Sequence, residues 1–244
     1  MTCPGKDFRE GVSAGWRTIW QKRPMPRTSP TLAELVAIDG HDGFGGIEES
    51  AWLAYADRVA TKLAIQIGDS IYEVGCGAGA FLYPWHVRGH RVGGMDYAEN
   101  LVRVARLTLR DADIISGEAV QLDPSAQYDF VMAQGVFFYF PDFDYAADVL
   151  KKMILKARKA VAILDVPDLA LKEQSLKFRR GDLGAEEYES KYVGLDHLYF
   201  SRSWFVDILR DINLTIRIED QDIAGYAHNP YRFNVFINKV AAPR

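Results

Sequence analysis

The chain has 244 residues, 48% hydrophobic and 25% charged, with a formal net charge of −4. That length suits one buried core, leaves no room for separate cofactor and substrate domains, and offers no overall basic surface for nucleic acid. No apolar run nears the roughly 18 residues of a membrane span, and Cys3 and Cys76 make no disulfide framework. Lys6, Asp7, Arg9 and Glu10 interrupt any leader-like apolar stretch. The expectation is a soluble, cytoplasmic protein, monomer or homodimer, with neither membrane nor nucleic acid among its partners. Residues 1–30 carry six basic side chains against two acidic ones. They read as a solvated basic arm, with contact to an anionic substrate group as the sharper alternative. Thirteen Phe, twelve Tyr and five Trp exceed obvious core periodicity and hint at a pocket for an organic ligand.

In chain order, Val12 to Gln21 reads as a short amphipathic helix carrying Trp16, Ile19 and Trp20. Proline-spaced residues 24–30 connect it to a helix over Thr31 to Ile38, capped by Thr31 with Glu34. The glycine-rich stretch Asp39–Gly46 must be a loop, and Glu48 to Ala64 a helix with Trp52, Tyr55, Val59 and Leu63 on one face. From Ile67 the pattern changes to short apolar runs alternating with helices, which indicates βαβ units around a parallel sheet. Strands are expected over Ser70–Val74, Arg91–Met95, Ala112–Ser116, Tyr128–Ala133 and Ala160–Leu164, and helices over Ala80–Arg88, Glu99–Leu109 and Tyr145–Ala157. Residues 169–195 are charge-rich and helical, broken by Gly181 and Gly184, and a further helix starts at Ser201 or Ser203. Leu214–Ile218 and Arg232–Val240 alternate apolar and polar residues. No crossover helix fits between them, so they form an antiparallel pair.

The sharpest motif is Glu73-Val74-Gly75-Cys76-Gly77-Ala78-Gly79 at a strand-to-helix turn. Glycines there permit positive φ and let a ligand approach the main chain, with helix N–H groups facing the crevice. Gly75, Gly77 and Ala80 also fit the dinucleotide fingerprint G-x-G-x-x-A, and Asp96 follows Gly75 by 21 residues. An acid there holds ribose hydroxyls of either NAD or S-adenosylmethionine, so an NAD-dependent oxidoreductase stands beside an S-adenosylmethionine reading. Three features favour the second. Glu73 suits a ligand with ammonium and sulfonium charges rather than a pyrophosphate. Glu118, in Gly117-Glu118-Ala119 after the third strand, suits an adenine amino group. The chain also ends in an antiparallel pair with no dehydrogenase-type substrate domain.

From about Ser70 to Val240 the chain resembles the class I S-adenosylmethionine-dependent methyltransferases. Glu73, Gly75, Gly77 and Gly79 match the superfamily's glycine-rich motif, and Asp96 its ribose-binding acid within Gly94-Met95-Asp96-Tyr97-Ala98. Gly117-Glu118-Ala119 resembles its adenine-contacting turn, where Asp is more usual. Gln134-Gly135-Val136-Phe137 matches the turn beside the transferring methyl. The resemblance implies an α/β, Rossmann-like, mostly parallel seven-stranded sheet with helices on both faces. Residues 1–66 would form an N-terminal helical cap, and residues 67–244 the cofactor-binding domain with a lid-like insertion at 169–195. The implied reaction moves a methyl group to an O or N atom of a small acceptor, natural-product or sugar-like. A catalytically silent S-adenosylmethionine-binding protein is the alternative, because many relatives carry His where this chain has Phe137-Phe138-Tyr139-Phe140.

The expected cofactor contacts are Glu73, Gly75, Cys76, Gly77, Gly79, Asp96, Tyr97, Glu118, Ala119, Gln134 and Gly135. Candidate bases at the carboxyl edge are His197, His41, Tyr139 and Asp165, with Asp168 bracketing Pro167 beside the acceptor pocket or capping a helix. His86 and His90 have a chelating spacing, but with no third ligand nearby no metal is expected.

Overall fold

The computed structural model describes residues 14–26, 28–41 and 46–240; Val12, Arg27 and residues 42–45 of the expected loop lie outside them. Seven strands form one sheet: β1 Ser70–Val74, β2 Arg91–Asp96, β3 Asp113–Ser116, β4 Tyr128–Gln134, β5 Ala157–Pro167, β6 Leu214–Asp220 and β7 Arg232–Lys239. Their order is β3-β2-β1-β4-β5-β7-β6. The first five strands run parallel. β7 runs against both β5 and β6. Of the C-terminal pair only β7 is therefore reversed, inserted between β5 and β6.

The apolar runs are continuous because both sheet faces are covered. Ile71, Phe130, Met132, Ala160 and Ala162 pack on one side. Their chain neighbours Tyr72, Val131, Ala133, Val161 and Ile163 pack on the other. The first side is covered by α2 Leu32–Val36, α3 Glu49–Leu63, α4 Tyr83–Val87 and α5 Glu99–Thr108. The second is covered by α6 Phe143–Lys156 and by Arg202–Ile208, which becomes α9 once α7 (Lys172–Leu183) and α8 (Ala185–Tyr192) are counted. The N-terminal helix is α1, Ala14–Gln21.

Local differences from expectation have local causes. α4 is shorter than the expected 80–88 and opens around Pro84, which lacks an N–H and suits a first helical turn. Gly181 lies inside α7; the break falls at Gly184, whose φ of 82° is left-handed. Thr31 and Glu34 form the expected capping box. The chain then continues into a wide helical turn, Ala37–His41, bent at Gly40, so the loop begins later than Asp39. Ser201 caps α9 by accepting the N–H of Trp204.

β1 lies between β2 and β4, where the strand order reverses. The crevice outside the carboxyl ends of β1 and β4 is the place where open α/β sheets hold ligands.

Candidate functional site

A cavity of about 600 Å³ occupies that crevice. Its floor is the turn leaving β1. The N–H groups of Gly75 and Cys76 both donate to the Met95 carbonyl, at 2.7 and 2.9 Å, which ties the turn to β2. Gly77 has φ 51°, and a Cβ there would overlap the Asp39 carboxylate, so this position needs glycine twice over. Asp96, at the end of β2, accepts the N–H of Gly77 at 3.0 Å through one oxygen and that of Ala98 at 2.8 Å through the other. Asp39 arrives from the turn after α2 and accepts the N–H groups of Ala78 (2.7 Å) and Ala80 (3.1 Å). Trp52 of α3 donates its indole N–H to the Ala80 carbonyl at 3.0 Å and fixes the turn from below.

Three carboxyl groups thus converge on the glycine turn: Glu73, Asp39 and Asp96. Burial pushes Asp39 up to about 7 and Asp96 up to about 6, against opposing hydrogen bonds from the backbone. Glu73 is raised well above the usual carboxylate range by burial first, then by Asp39 and Asp96. Its Oε2 is buried without a hydrogen-bond partner. Crowded acids with an unpaired buried oxygen form a seat for a cationic ligand, which would supply the missing partner and favour their ionised forms. Farther along, Glu118 forms an ion pair with Arg17 of α1 and accepts the Tyr145 hydroxyl at 3.3 Å.

The roof is aromatic. Trp16 of α1 donates its indole N–H to the Asp196 carbonyl at 3.1 Å and stacks on His197 at 4.8 Å. Tyr139 meets Trp16, Trp20 and His197 edge-on. Asn100 of α5 donates to the carbonyls of Trp20 and Arg23 and holds the end of α1 down. On the far wall Asp165 is buried at φ 60°, a left-handed strain of about 1–3 kcal/mol for a residue with a side chain. A buried network holds it: Tyr226 donates its hydroxyl to Asp165 at 3.1 Å, Gln221 its amide at 3.4 Å, and the Asp165 N–H donates to Asn234.

All four candidate bases line the cavity, but their chemistry differs. Burial raises Tyr139 above the ordinary phenol range, which makes it a poor base. His197 is held well below the usual imidazole range by burial and by Arg179 and Arg232. Its Nδ1 lies 3.2 Å from an Arg179 guanidinium nitrogen. Arginine only donates, so Nδ1 accepts, the ring proton sits on Nε2, and no acceptor site remains on that ring. His41 is also lowered, chiefly by burial, and faces Asp165 and Gln134. Of the four, His41 and Asp165 keep an acceptor toward the cavity.

Of the expected cofactor contacts, Glu73, Gly75, Cys76, Gly77, Asp96, Tyr97, Glu118, Ala119, Gln134 and Gly135 line the cavity. Gly79 does not: a Cβ there would meet Leu109, which caps α5, so this glycine serves helix packing. Asp168 also falls outside the lining; it caps the turn Leu169–Leu171 through the Ala170 N–H and pairs with Arg202 at 2.8 Å. Phe137 is core, whereas Phe138 and Phe140 line the cavity. Within the charge-rich 169–195 stretch, Arg179, Tyr188 and Tyr192 line the cavity. Among the described residues no group of three His, Cys, Asp or Glu is placed to hold a metal. No described helix is long and apolar enough to cross a membrane. Sequence reasoning missed Asp39, Arg179 and Arg232 as cavity residues. Only the glycines around Asp39 signalled a close approach.

Residues 72–163 match the methyltransferase domain family. The fold is shared with magnesium protoporphyrin IX methyltransferase from Synechocystis PCC 6803, solved with SAH bound, at 19% identity over 78% of this chain and 84% of that one, TM-score 0.59. It is shared also with the plantazolicin methyltransferase in complex with SAH, at 16% identity over 78% and 82% of the two chains, TM-score 0.57. An amino pentose methyltransferase from Micromonospora echinaspora, bound to SAM, aligns at 12% identity over 78% and 92%, TM-score 0.56. None of the curated proteins is a significant sequence match to the chain. The domain match spans the glycine turn, the Asp96 edge and the turn after β4 that frame the cavity, and it sets the NAD reading aside. Residues 72–163 thus match a methyltransferase domain, and the chain has the fold of the S-adenosylmethionine-dependent methyltransferases.

Proposed function

We propose that the protein transfers a methyl group from S-adenosylmethionine to a small organic acceptor enclosed beneath α1, α7 and α8. The observation that carries this reading is the trio of crowded acids on the glycine turn, with the unpaired buried Oε2 of Glu73. A sulfonium and an ammonium group answer that charge, whereas a pyrophosphate would meet repulsion. Asp96 is positioned for ribose hydroxyls, and Glu118 with Ala119 for the adenine edge. Gly77 leaves the main chain open to close approach.

The bound cofactor supplies an electrophilic methyl group. The chain's own residues orient the acceptor, hold it about 3 Å from that carbon in line with the breaking bond, and exclude water. The roof of Trp16, Trp20 and Tyr139 performs the exclusion. Where the acceptor atom carries a proton, His41 or Asp165 receives it, a step worth about 10²–10⁴-fold. α1 acts as the cap and residues 169–195 as the acceptor-side cover, while α2 and α3 pack on the sheet. Enclosure on this scale favours a metabolite over a polymer.

The test is a thermal-shift and turnover pair. S-adenosylhomocysteine (SAH), but not NADH, is expected to raise Tm, and labelled S-adenosylmethionine is expected to yield SAH with a methylated product from an aromatic metabolite pool. Stabilisation by NADH instead would overturn the proposal.

A further inference from the structure

The cavity is electrically divided. The acids at the glycine turn lie at the end of β1, whereas Arg232 opens β7, with β4 and β5 between them. At about 4.8 Å per strand the two regions stand roughly 14 Å apart. On the β7 side two guanidinium groups, Arg232 and Arg179, face the single carboxylate of Asp165. Every other acid lining the cavity, namely Asp39, Glu73, Asp96 and Glu118, sits toward the β1–β3 edge. Burial holds His41, His197 and His228 below the ordinary imidazole range, His228 to about 4, so they add no charge near pH 7. Among the described residues this side therefore carries one uncompensated positive charge.

Its hydrogen-bond inventory is equally one-sided. Arg232 is 7% exposed, lies over the Phe138 ring at 4.5 Å and donates Nη1–H to the Asp165 carbonyl at 3.3 Å. Its Nε–H is buried without an acceptor, the Asp165 oxygen lying 3.9 Å away. His197 Nε2, which carries the ring proton, is likewise buried and unpartnered. Arg179 rests on the rings of Tyr188 and Tyr192, and among the described residues no carboxylate pairs with it. Buried donors left unmet are costly, and here they converge with a spare positive charge beside aromatic walls.

We propose that the acceptor is an aromatic carboxylic acid whose carboxylate sits on Arg232, Arg179 and the Nε2–H of His197. This rests on the methyltransferase reading and names the class of molecule that enters the same cavity. A carboxylate is acceptor-only, planar and singly charged. It satisfies the fork of a guanidinium and neutralises the excess without overshooting, as a phosphate dianion would. Trp16, stacked on His197, and Tyr188 supply faces for the ring that carries it.

The experiment is calorimetric titration of 2-naphthoate, 2-naphthamide and 2-naphthyl phosphate, with and without SAH, and of SAH alone. Naphthoate is expected to bind about tenfold or more tightly than the amide and more tightly than the phosphate. Arg232→Gln and Arg179→Gln are each expected to weaken naphthoate about tenfold while leaving SAH affinity unchanged. Arg179 is half-buried in α7, so its variant keeps the test sound if Arg232→Gln does not fold. Equal binding of amide and acid, tighter binding of the phosphate, or an unchanged naphthoate affinity in Arg179→Gln would overturn the carboxylate seat. Failure of SAH to bind would count against the methyltransferase reading alone, because the naphthoate titrations without SAH still decide the carboxylate seat.

Discussion

Asp39 provides the most exacting test of the site's electrostatics. Its carboxyl group is raised from 3.8 to about 7, first by burial, with neighbouring Asp96 contributing and the N–H groups of Ala78 and Ala80 opposing. A group whose folded pKa is raised stabilises the fold most below its unfolded value and loses that contribution as pH climbs through the folded one. A tenfold change in acidity on folding corresponds to about 1.4 kcal/mol, so between about pH 5 and pH 8 the wild type gives up close to 3 kcal/mol through this residue, or roughly 2 once cavity water is allowed for. Asp39→Asn removes the titration but places an amide N–H₂ against one of two backbone donors, a loss of about 1–3 kcal/mol at every pH. The variant is therefore expected to be less stable than wild type at pH 5 and to recover by roughly 2 kcal/mol relative to it at pH 8. Urea denaturation at the two pH values measures this. A stability difference between the two proteins that does not change with pH would refute the burial of a charge at this position.

Other expectations follow from the same geometry. Gly77→Ala forces a side chain into left-handed backbone and into Asp39, so a loss of about 2–4 kcal/mol and of SAH binding is expected in denaturation and calorimetry. The imidazole resonances of His197 and His228 are expected not to titrate between pH 5.5 and 8, as followed by NMR; a transition of His197 near pH 6.5 would contradict its buried neutral state. Asp168→Ala removes the cap on Ala170 and one partner of Arg202, so about 1–2 kcal/mol of stability is expected to go while SAH affinity stays unchanged. A selective loss of SAH binding in that variant would return Asp168 to the site.

The parts of the fold written in local pattern were legible in the sequence. Short continuous apolar runs bounded by turn residues, together with the glycine turn, place β1, β2 and β4 to within a residue or two, because strands covered on both faces are apolar throughout. The position of β7 between β5 and β6 was not legible, since an antiparallel pair can join a sheet edge with either member innermost. The reach of the site was read unevenly for a similar reason. Gly75, Gly77 and Asp96 lie within one βαβ unit, and their spacing suffices to bring them to one cavity. Asp39, Arg179 and Arg232 come from three distant segments, and only the fold brings them to one cavity. Asp165 and Asp168 show how thin the margin is: one turn apart beside Pro167, one faces the cavity and the other caps a helix.

The central claim is that the β1–β4 crevice binds S-adenosylmethionine through the glycine turn and Asp96. Calorimetry of SAH with wild type and Asp96→Ala tests it most directly. The expected result is one equivalent of SAH bound by wild type, at least about tenfold weaker binding by the variant, and no heat from NADH. An SAH affinity unchanged by the loss of Asp96, or NADH bound in its place, would contradict it.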